Sequence, residues 1–292
     1  MNDVCEDWGC GICGDALDQD SAANPWTFTG PFSGPCCINK HVYHKGCIER
    51  WTVRGKTNRC PTCRSAISPE FVRHPPTPGL FTKGRLLKRA VDELLTANPS
   101  GATPHDLHGP VSSWDVSGVE DMSFLFSGAV CFNQPLNGWN VSSVEDMSGM
   151  FSGAFSFNQP LDKWDVSSVK DLDEMFKRAS SFNQPLDGWD VSSVVDMSEM
   201  FSDALSFNQP LNGWDVSEVM DTSEMFSGAL CFNQPLDKWD VSDVENMDGM
   251  FSGAVCFNQP LDKWDVSAVE NMHGILSGAL AFDQDVPNLV NA

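Results

Sequence analysis

The carboxy-terminal part of the chain repeats one pattern of apolar and polar positions every 25 residues. Seven units without insertions fill residues 114–288, and most contain Trp, Val-Ser, Met-Phe and Phe-Asn-Gln-Pro-Leu in that order. Each unit begins with a tryptophan: Trp114, Trp139, Trp164, Trp189, Trp214, Trp239 and Trp264. A fixed period of about 20 to 29 residues is typical of a leucine-rich-repeat solenoid. The pattern therefore predicts stacked units that bury a shared core.

Local spacing predicts two elements of this domain. The segment Leu136-x2-Trp139-x-Val141 has the spacing of a leucine-rich-repeat strand. It predicts that Trp139 and Val141 point inward and that this strand pairs with its neighbours at about 4.8 Å. Before the array, residues 83–97 have apolar side chains at helical spacing and are followed by Asn-Pro. They predict an amphipathic helix that caps the array, with partner binding as the alternative.

The repeat units resemble the BspA-like leucine-rich repeats, whose copies contain Phe-Asn-Gln-Pro-Leu-x2-Trp-Asp-Val-Ser and Met-Phe. The resemblance covers about residues 83–288, including the helix before the array. It implies a solenoid with a binding role, because family members are often surface proteins used for adhesion or binding. The last unit departs from the pattern, with Ile275-Leu276 in place of Met-Phe and Asp285 in place of proline, which predicts a terminal cap.

The first 63 residues have a different composition and contain eight of the eleven cysteines. Six of these cysteines and two histidines are arranged as Cys10-x2-Cys13, Cys37-x3-His41-x2-His44-x2-Cys47 and Cys60-x2-Cys63. Zinc binds four such ligands in a tetrahedron, and two CxxC pairs that flank further ligands are far more specific than one. The order resembles the RING-H2 finger over about residues 8–66.

The RING-H2 resemblance implies two zinc ions and a surface for a ubiquitin-charged E2 enzyme. One ion would be bound by Cys10, Cys13, His44 and Cys47, and the other by Cys37, His41, Cys60 and Cys63. Cys36 is an alternative to Cys37, since the spacing to His41 is longer than usual. The E2-binding positions correspond to Ile12, Trp51 and Pro61, and the linchpin position to Arg64. RING fingers have no catalytic nucleophile and act by orienting E2 and ubiquitin.

Four segments are therefore predicted: a zinc cross-braced α+β RING-H2 module at 1–67, a proline-rich linker at 68–82, an amino-terminal cap at 83–113 and the seven-unit BspA-like solenoid at 114–292. Residues 114–292 contain 6 Lys+Arg and 29 Asp+Glu, a net charge of −23 (6 − 29). Such a surface repels nucleic acid and anionic lipid and favours basic protein partners.

Variation between the units indicates a candidate binding patch. One column reads Glu120, Glu145, Lys170, Val195, Met220, Glu245 and Glu270, and Lys177-Arg178 adds positive charge beside it. Our hypothesis is that Lys170, Val195 and Met220 contact a protein substrate. Neutral variation on a solvated face would produce the same pattern.

Two further columns have structural interpretations. The column Asp115, Asn140, Asp165, Asp190, Asp215, Asp240 and Asp265 is expected to point outward and to hydrogen-bond nearby serines and amides, with calcium binding as the alternative. Cys131, Cys231 and Cys256 share a column with Ser and Ala. We interpret them as packing residues.

The sequence as a whole favours a RING-type E3 ubiquitin ligase whose zinc module recruits E2 and ubiquitin and whose acidic solenoid binds a protein substrate. The alternative is a non-catalytic adaptor with a structural zinc finger. Because no apolar run is long enough for a membrane span and no export signal precedes the cysteines, we expect a cytoplasmic protein, with the nucleus as the alternative.

Overall fold

The structure, a computed structural model, describes residues 80–105 and 108–287. The chain divides into two compact units, Met1–Thr77 and Pro78–Ala292, and the division falls within the predicted linker. The second unit contains a helix followed by seven stacked 25-residue units, called rungs 1 to 7 in chain order. None of the helices in the described ranges is long and apolar enough to cross a membrane. The predicted RING-H2 module at 1–67 lies outside the described residues.

Helix α1, Gly84–Ala97, confirms the predicted amphipathic helix. Its buried face is formed by Leu87, Ala90, Val91 and Leu94, which belong to the same hydrophobic core as the rungs. The ammonium group of Lys88 donates to the backbone carbonyl of Phe124 in rung 1. Helix α1 thus packs on the core at its rung 1 end, as a cap must. A short 3-10 helix, Val111–Ser113, leads into Trp114.

The strand predicted at Leu136-x2-Trp139-x-Val141 is wrong in position, although Trp139 and Val141 are buried as expected. The amide of Trp139 donates to the carbonyl of Leu136 at 2.9 Å, and the amide of Val144 donates to the carbonyl of Val141 at 2.9 Å. These successive turns bend the segment and use its amides within the rung. The parallel β-bridges instead join the column of Asp121, Asp146, Asp171, Asp196, Asp221, Asn246 and Asn271.

Backbone hydrogen bonds between rungs continue beyond each bridge at every second residue. In rung 2 the amides of Met147, Phe151 and Gly153 donate to carbonyls of rung 3 at 3.0, 2.9 and 2.7 Å. The intervening residues form turns, so the described part of the array has isolated bridges and no extended strand. The rungs are therefore joined by regular hydrogen bonds with little regular secondary structure.

Phenylalanine side chains form two continuous stacks through the core. Within rung 3 the rings of Phe176 and Phe182 lie 4.0 Å apart and almost parallel. Each also stacks on its equivalent in the next rung, with 5.7 Å between Phe176 and Phe201 and 6.1 Å between Phe182 and Phe207. The repeated phenylalanines therefore fill the core and hold the rungs in register.

Polar groups of the repeat motif also bind across rungs. The indole N–H of Trp189 donates to the carbonyl of Leu161 at 3.1 Å, and the other inner tryptophans make the equivalent bond. The side-chain oxygen of Asn158 accepts from the amide of Asn183 and from the side-chain amide of Gln184, both at 3.0 Å. These bonds explain why Trp and Asn-Gln recur: each satisfies a neighbouring rung's polar groups, which would otherwise be costly to bury.

We expect the Phe176→Ala variant to lose about 3 to 5 kcal/mol of unfolding free energy, because it removes a fully buried ring from the centre of a stack. Phe124→Ala is the matched control, since the Phe124 side chain is 45% exposed. It should change stability by about 0.5 kcal/mol or less. Urea unfolding followed by tryptophan fluorescence measures both, and equal losses would contradict the assignment of the stack as the main stabilising contact.

Candidate partner-binding surface of the repeat array

Lys170, Val195 and Met220 occupy equivalent outward positions on rungs 3, 4 and 5, and we call them the central patch. The amide of Val195 donates to the carbonyl of Lys170, and that of Met220 to the carbonyl of Val195, both at 2.9 Å. All three side chains are exposed, and Val195 and Met220 are 40% and 45% accessible. The fold therefore brings together, on one outward column, the three residues that the sequence singled out.

Lys170 forms an ion pair with Glu145, with 2.9 Å between the ammonium nitrogen and a carboxylate oxygen. Both side chains are more than half exposed, so the pair contributes little to stability. Lys170 therefore remains available for a partner's carboxylate.

The predicted basic residues beside the patch are both engaged with acids. The Lys177 ammonium lies 3.0 Å from a carboxylate oxygen of Glu174 and also contacts Glu199. Burial lowers the pKa of Lys177, but the hydrogen bonds to Glu199 and Glu174 outweigh burial and raise it. Arg178 lies 3.7 Å from Asp203 of the next rung. Lys177 thus neutralises acids within the array, and this network provides no free positive spot.

Several charged residues of the central rungs occupy left-handed backbone positions, which the sequence reading missed. Glu174, Glu199 and Glu224 have φ near 51°, where the equivalent residues Gly149 and Gly249 are glycines. Arg178 and Asp203 likewise replace the glycine that other rungs place at φ near 70°. Non-glycine residues are uncommon in this region and carry a steric cost. The signal was present in the sequence as charged residues in otherwise glycine-rich columns.

The outward aspartates of the Trp-Asp-Val-Ser segment behave as predicted. Asp190 accepts hydrogen bonds from the hydroxyl and amide of Ser192 at 2.6 and 3.2 Å, and the equivalent bonds recur along the column. The Ser192 side chain, and then its amide, hold the pKa of Asp190 below its ordinary value. Within the described ranges no three His, Cys, Asp or Glu side chains are grouped to hold a metal ion.

A second aspartate column, at the β-bridges, was not anticipated. Asp171 and Asp196 lie one rung apart there, and half-buried Asp173 follows Asp171. Burial, opposed by a hydrogen bond from the hydroxyl of Ser198 and assisted by the charge of Asp196, raises the pKa of Asp173 to about 6. Burial also raises the pKa of Asp171, despite a hydrogen bond from the Asp173 amide.

The cysteine prediction for the repeats is wrong: Cys131, Cys231 and Cys256 are exposed free thiols and do not pack in the core. They follow the inward Ala column by two residues, where the chain has already turned back to solvent.

The residues assigned to zinc, E2 and ubiquitin lie outside the described residues. They are the zinc ligands Cys10, Cys13, Cys37, His41, His44, Cys47, Cys60 and Cys63, the E2-binding Ile12, Trp51 and Pro61, and the linchpin Arg64. These assignments stay predictions.

We expect Asp173→Ser to stabilise the protein at pH 7.5, by about 1 kcal/mol after solvent screening or about 2 to 4 °C. The pKa of Asp173 is raised in the folded state, so the associated stability is present at low pH and is lost as pH rises through about 6. The variant's advantage should therefore shrink between pH 7.5 and pH 4, as measured by thermal unfolding.

Asp248→Ser is the matched control, because Asp248 occupies the same column but lies beside Asn246 and Asn271 in place of two aspartates. Its effect should vary less with pH. A pH-independent advantage for Asp173→Ser would show that ionisation at this site does not limit stability.

Comparison with known proteins supports the repeat part of the interpretation. Residues 100–214 and 196–291 match a family model described as "Mycoplasma protein of unknown function, DUF285". No curated protein and no solved structure is significantly similar to the chain. The two matches together span residues 100–291, or 192 of the 292 residues. The chain therefore belongs to the DUF285 family of BspA-like repeat proteins.

Proposed function

We propose that this protein is a RING-type E3 ubiquitin ligase in which the amino-terminal module recruits a ubiquitin-charged E2 enzyme and the solenoid binds the protein substrate. The main support is the order of eight cysteine and histidine ligands in the first 63 residues. Thiolate ligands favour a reducing compartment, so the proposal places the protein in the cytoplasm.

The zinc ions in this proposal are structural. Cys10, Cys13, His44 and Cys47 would hold one ion, and the remaining four ligands, with Cys37 preferred to Cys36, would hold the other. Closed four-ligand sites replace the hydrophobic core that a module of about 60 residues cannot easily supply.

Four residues of the module are left over once the metal ligands are assigned. Ile12, Trp51 and Pro61 would provide an apolar surface for E2. Arg64 would donate hydrogen bonds to both E2 and ubiquitin, because a planar guanidinium can contact two carbonyl groups at once. The rate enhancement would come from orientation of the thioester, with the attacking amine supplied by a substrate lysine.

The solenoid contributes a rigid, exposed surface to this proposal. Rungs in register hold the central patch of Lys170, Val195 and Met220 at fixed spacing, with two exposed apolar side chains beside a cation. Apolar anchors next to polar groups are typical of protein-binding surfaces.

Autoubiquitylation by the zinc-loaded full-length protein tests the ligase proposal. We expect ubiquitin chains with at least one enzyme of an E2 panel, and at least a tenfold lower rate for Ile12→Ala and Arg64→Ala. The central-patch variant Lys170→Gln/Val195→Ser/Met220→Ser should keep the full rate, since it leaves the zinc module unchanged. A protein that holds two zinc ions but forms no product with any E2 would instead support the adaptor alternative.

The same central-patch variant tests substrate binding. We expect it to lose most ubiquitylation of proteins in trans while autoubiquitylation continues, as measured by quantitative ubiquitin-remnant mass spectrometry in cells. Polar replacements are used because glutamates would place seven carboxylates one rung apart along the column. Glu120→Gln/Glu270→Gln in the outer rungs of the same column is the control. An unchanged set of modified proteins would remove the central patch from the proposal.

A further inference from the structure

A line of apolar side chains is exposed along the array, separate from the central patch. Its members occupy the position directly after the inward Ala column in six of the seven rungs. They are Val130, Phe155, Leu205, Leu230, Val255 and Leu280, and we call them the apolar stripe. Each is at least 37% accessible, and Leu280 is 80% accessible. Single exposed apolar residues are ordinary, but the same position exposed in rung after rung makes a continuous patch.

The backbone keeps these side chains in line. The carbonyl of Val130 accepts from the amide of Ser156 in the next rung at 3.1 Å, and the carbonyl of Val255 accepts from Ala281 at 3.1 Å. Neighbouring stripe residues are therefore about 4.8 Å apart, the spacing of hydrogen-bonded backbones. From Leu205 to Leu280 the stripe is uninterrupted over four rungs, or about 14 Å.

The stripe is interrupted in rung 3, where Ser180 occupies the column. Arg178, which pairs with Asp203, lies two residues before it. The uninterrupted section over rungs 4 to 7 is thus bounded on one side by the positive charge of rung 3.

Charge around the uninterrupted section identifies the kind of partner. Residues 189–287 contain 18 Asp+Glu and only Lys238 and Lys263, a net charge of −16 (2 − 18). Both lysines belong to the turn before a tryptophan, and Lys263 pairs with Asp237 at 2.7 Å. An apolar line on so acidic a body favours a ligand that combines apolar anchors with positive charge.

The spacing of the anchors identifies the ligand's conformation. An α-helix presents side chains on one face at intervals of about 5.4 Å, whereas an extended strand does so at about 6.6 Å. Only the helical interval stays close to the 4.8 Å spacing of the rungs over four anchors. A helix of about 10 to 12 residues covers 14 Å.

We propose that the apolar stripe on rungs 4 to 7 is a docking site for a basic amphipathic helix of a partner protein. Leucine-like residues of the helix pack between Leu205, Leu230, Val255 and Leu280, and its flanking lysines or arginines face the acidic rungs. As the place where substrate is captured, the stripe rests on the proposed ligase function. Helix binding itself requires neither E2 nor ubiquitin transfer.

The test uses the zinc-loaded full-length protein and a fluorescein-labelled peptide of leucine and lysine, with leucines at intervals of three and four residues. Its control is a peptide of the same composition and net charge with scrambled leucine positions. We expect the amphipathic peptide to bind at least tenfold more tightly than the scrambled one in fluorescence anisotropy. Leu230→Ser/Val255→Ser should weaken it at least tenfold, or about 1.4 kcal/mol.

Serine is chosen because Ser180 occupies the same column in rung 3, so these variants should fold, as circular dichroism will check. Val195→Ser/Met220→Ser is the matched control and should leave peptide affinity unchanged within about twofold. Equal affinity for the two peptides, or equal affinity of the stripe variant and wild type, overturns the inference.

The two proposals can fail separately. A protein that binds the peptide through the stripe but forms no ubiquitin chains overturns the ligase proposal alone. A protein that forms chains but does not distinguish the two peptides overturns the stripe alone.

Discussion

The packing of each rung on the next is the interaction on which the remaining structure depends. A 25-residue unit has too little apolar surface to fold alone, and its phenylalanines bury both faces only when equivalent rings stack above and below them. The indole and asparagine side chains satisfy polar groups of adjacent rungs, so the same motif residues provide both packing and hydrogen bonding. Any insertion would put these contacts out of register, which agrees with the invariant period.

Because inward positions are occupied by structural contacts, differences between rungs are concentrated on the outward positions. The central patch, the left-handed Glu174, Arg178 and Asp203, and the apolar stripe are all departures from a regular background. The left-handed residues carry a backbone cost that glycine would avoid. Outward columns are therefore where a rigid scaffold presents its specificity.

The two parts of the chain solve the problem of stability by different means. The repeat array shares one core across seven rungs, whereas the amino-terminal segment has the composition of a module held by metal ligands. A rigid, acidic array attached to a small module that recruits an enzyme would separate substrate choice from chemistry. This division is the physical basis of the proposed ligase function.

The sequence by itself determined the number of rungs, their inward side chains and helix α1, because period and apolar spacing are local properties of the chain. It also identified Lys170, Val195 and Met220 as outward and different. Only the tertiary structure placed the backbone pairing at Asp146 and not at Trp139 to Val141. It also decided that Cys131 is exposed and that Asp173 is half-buried among carboxylates. Pairing and exposure depend on how successive turns bend each rung and on what the next rung places opposite, and a repeat period does not specify either.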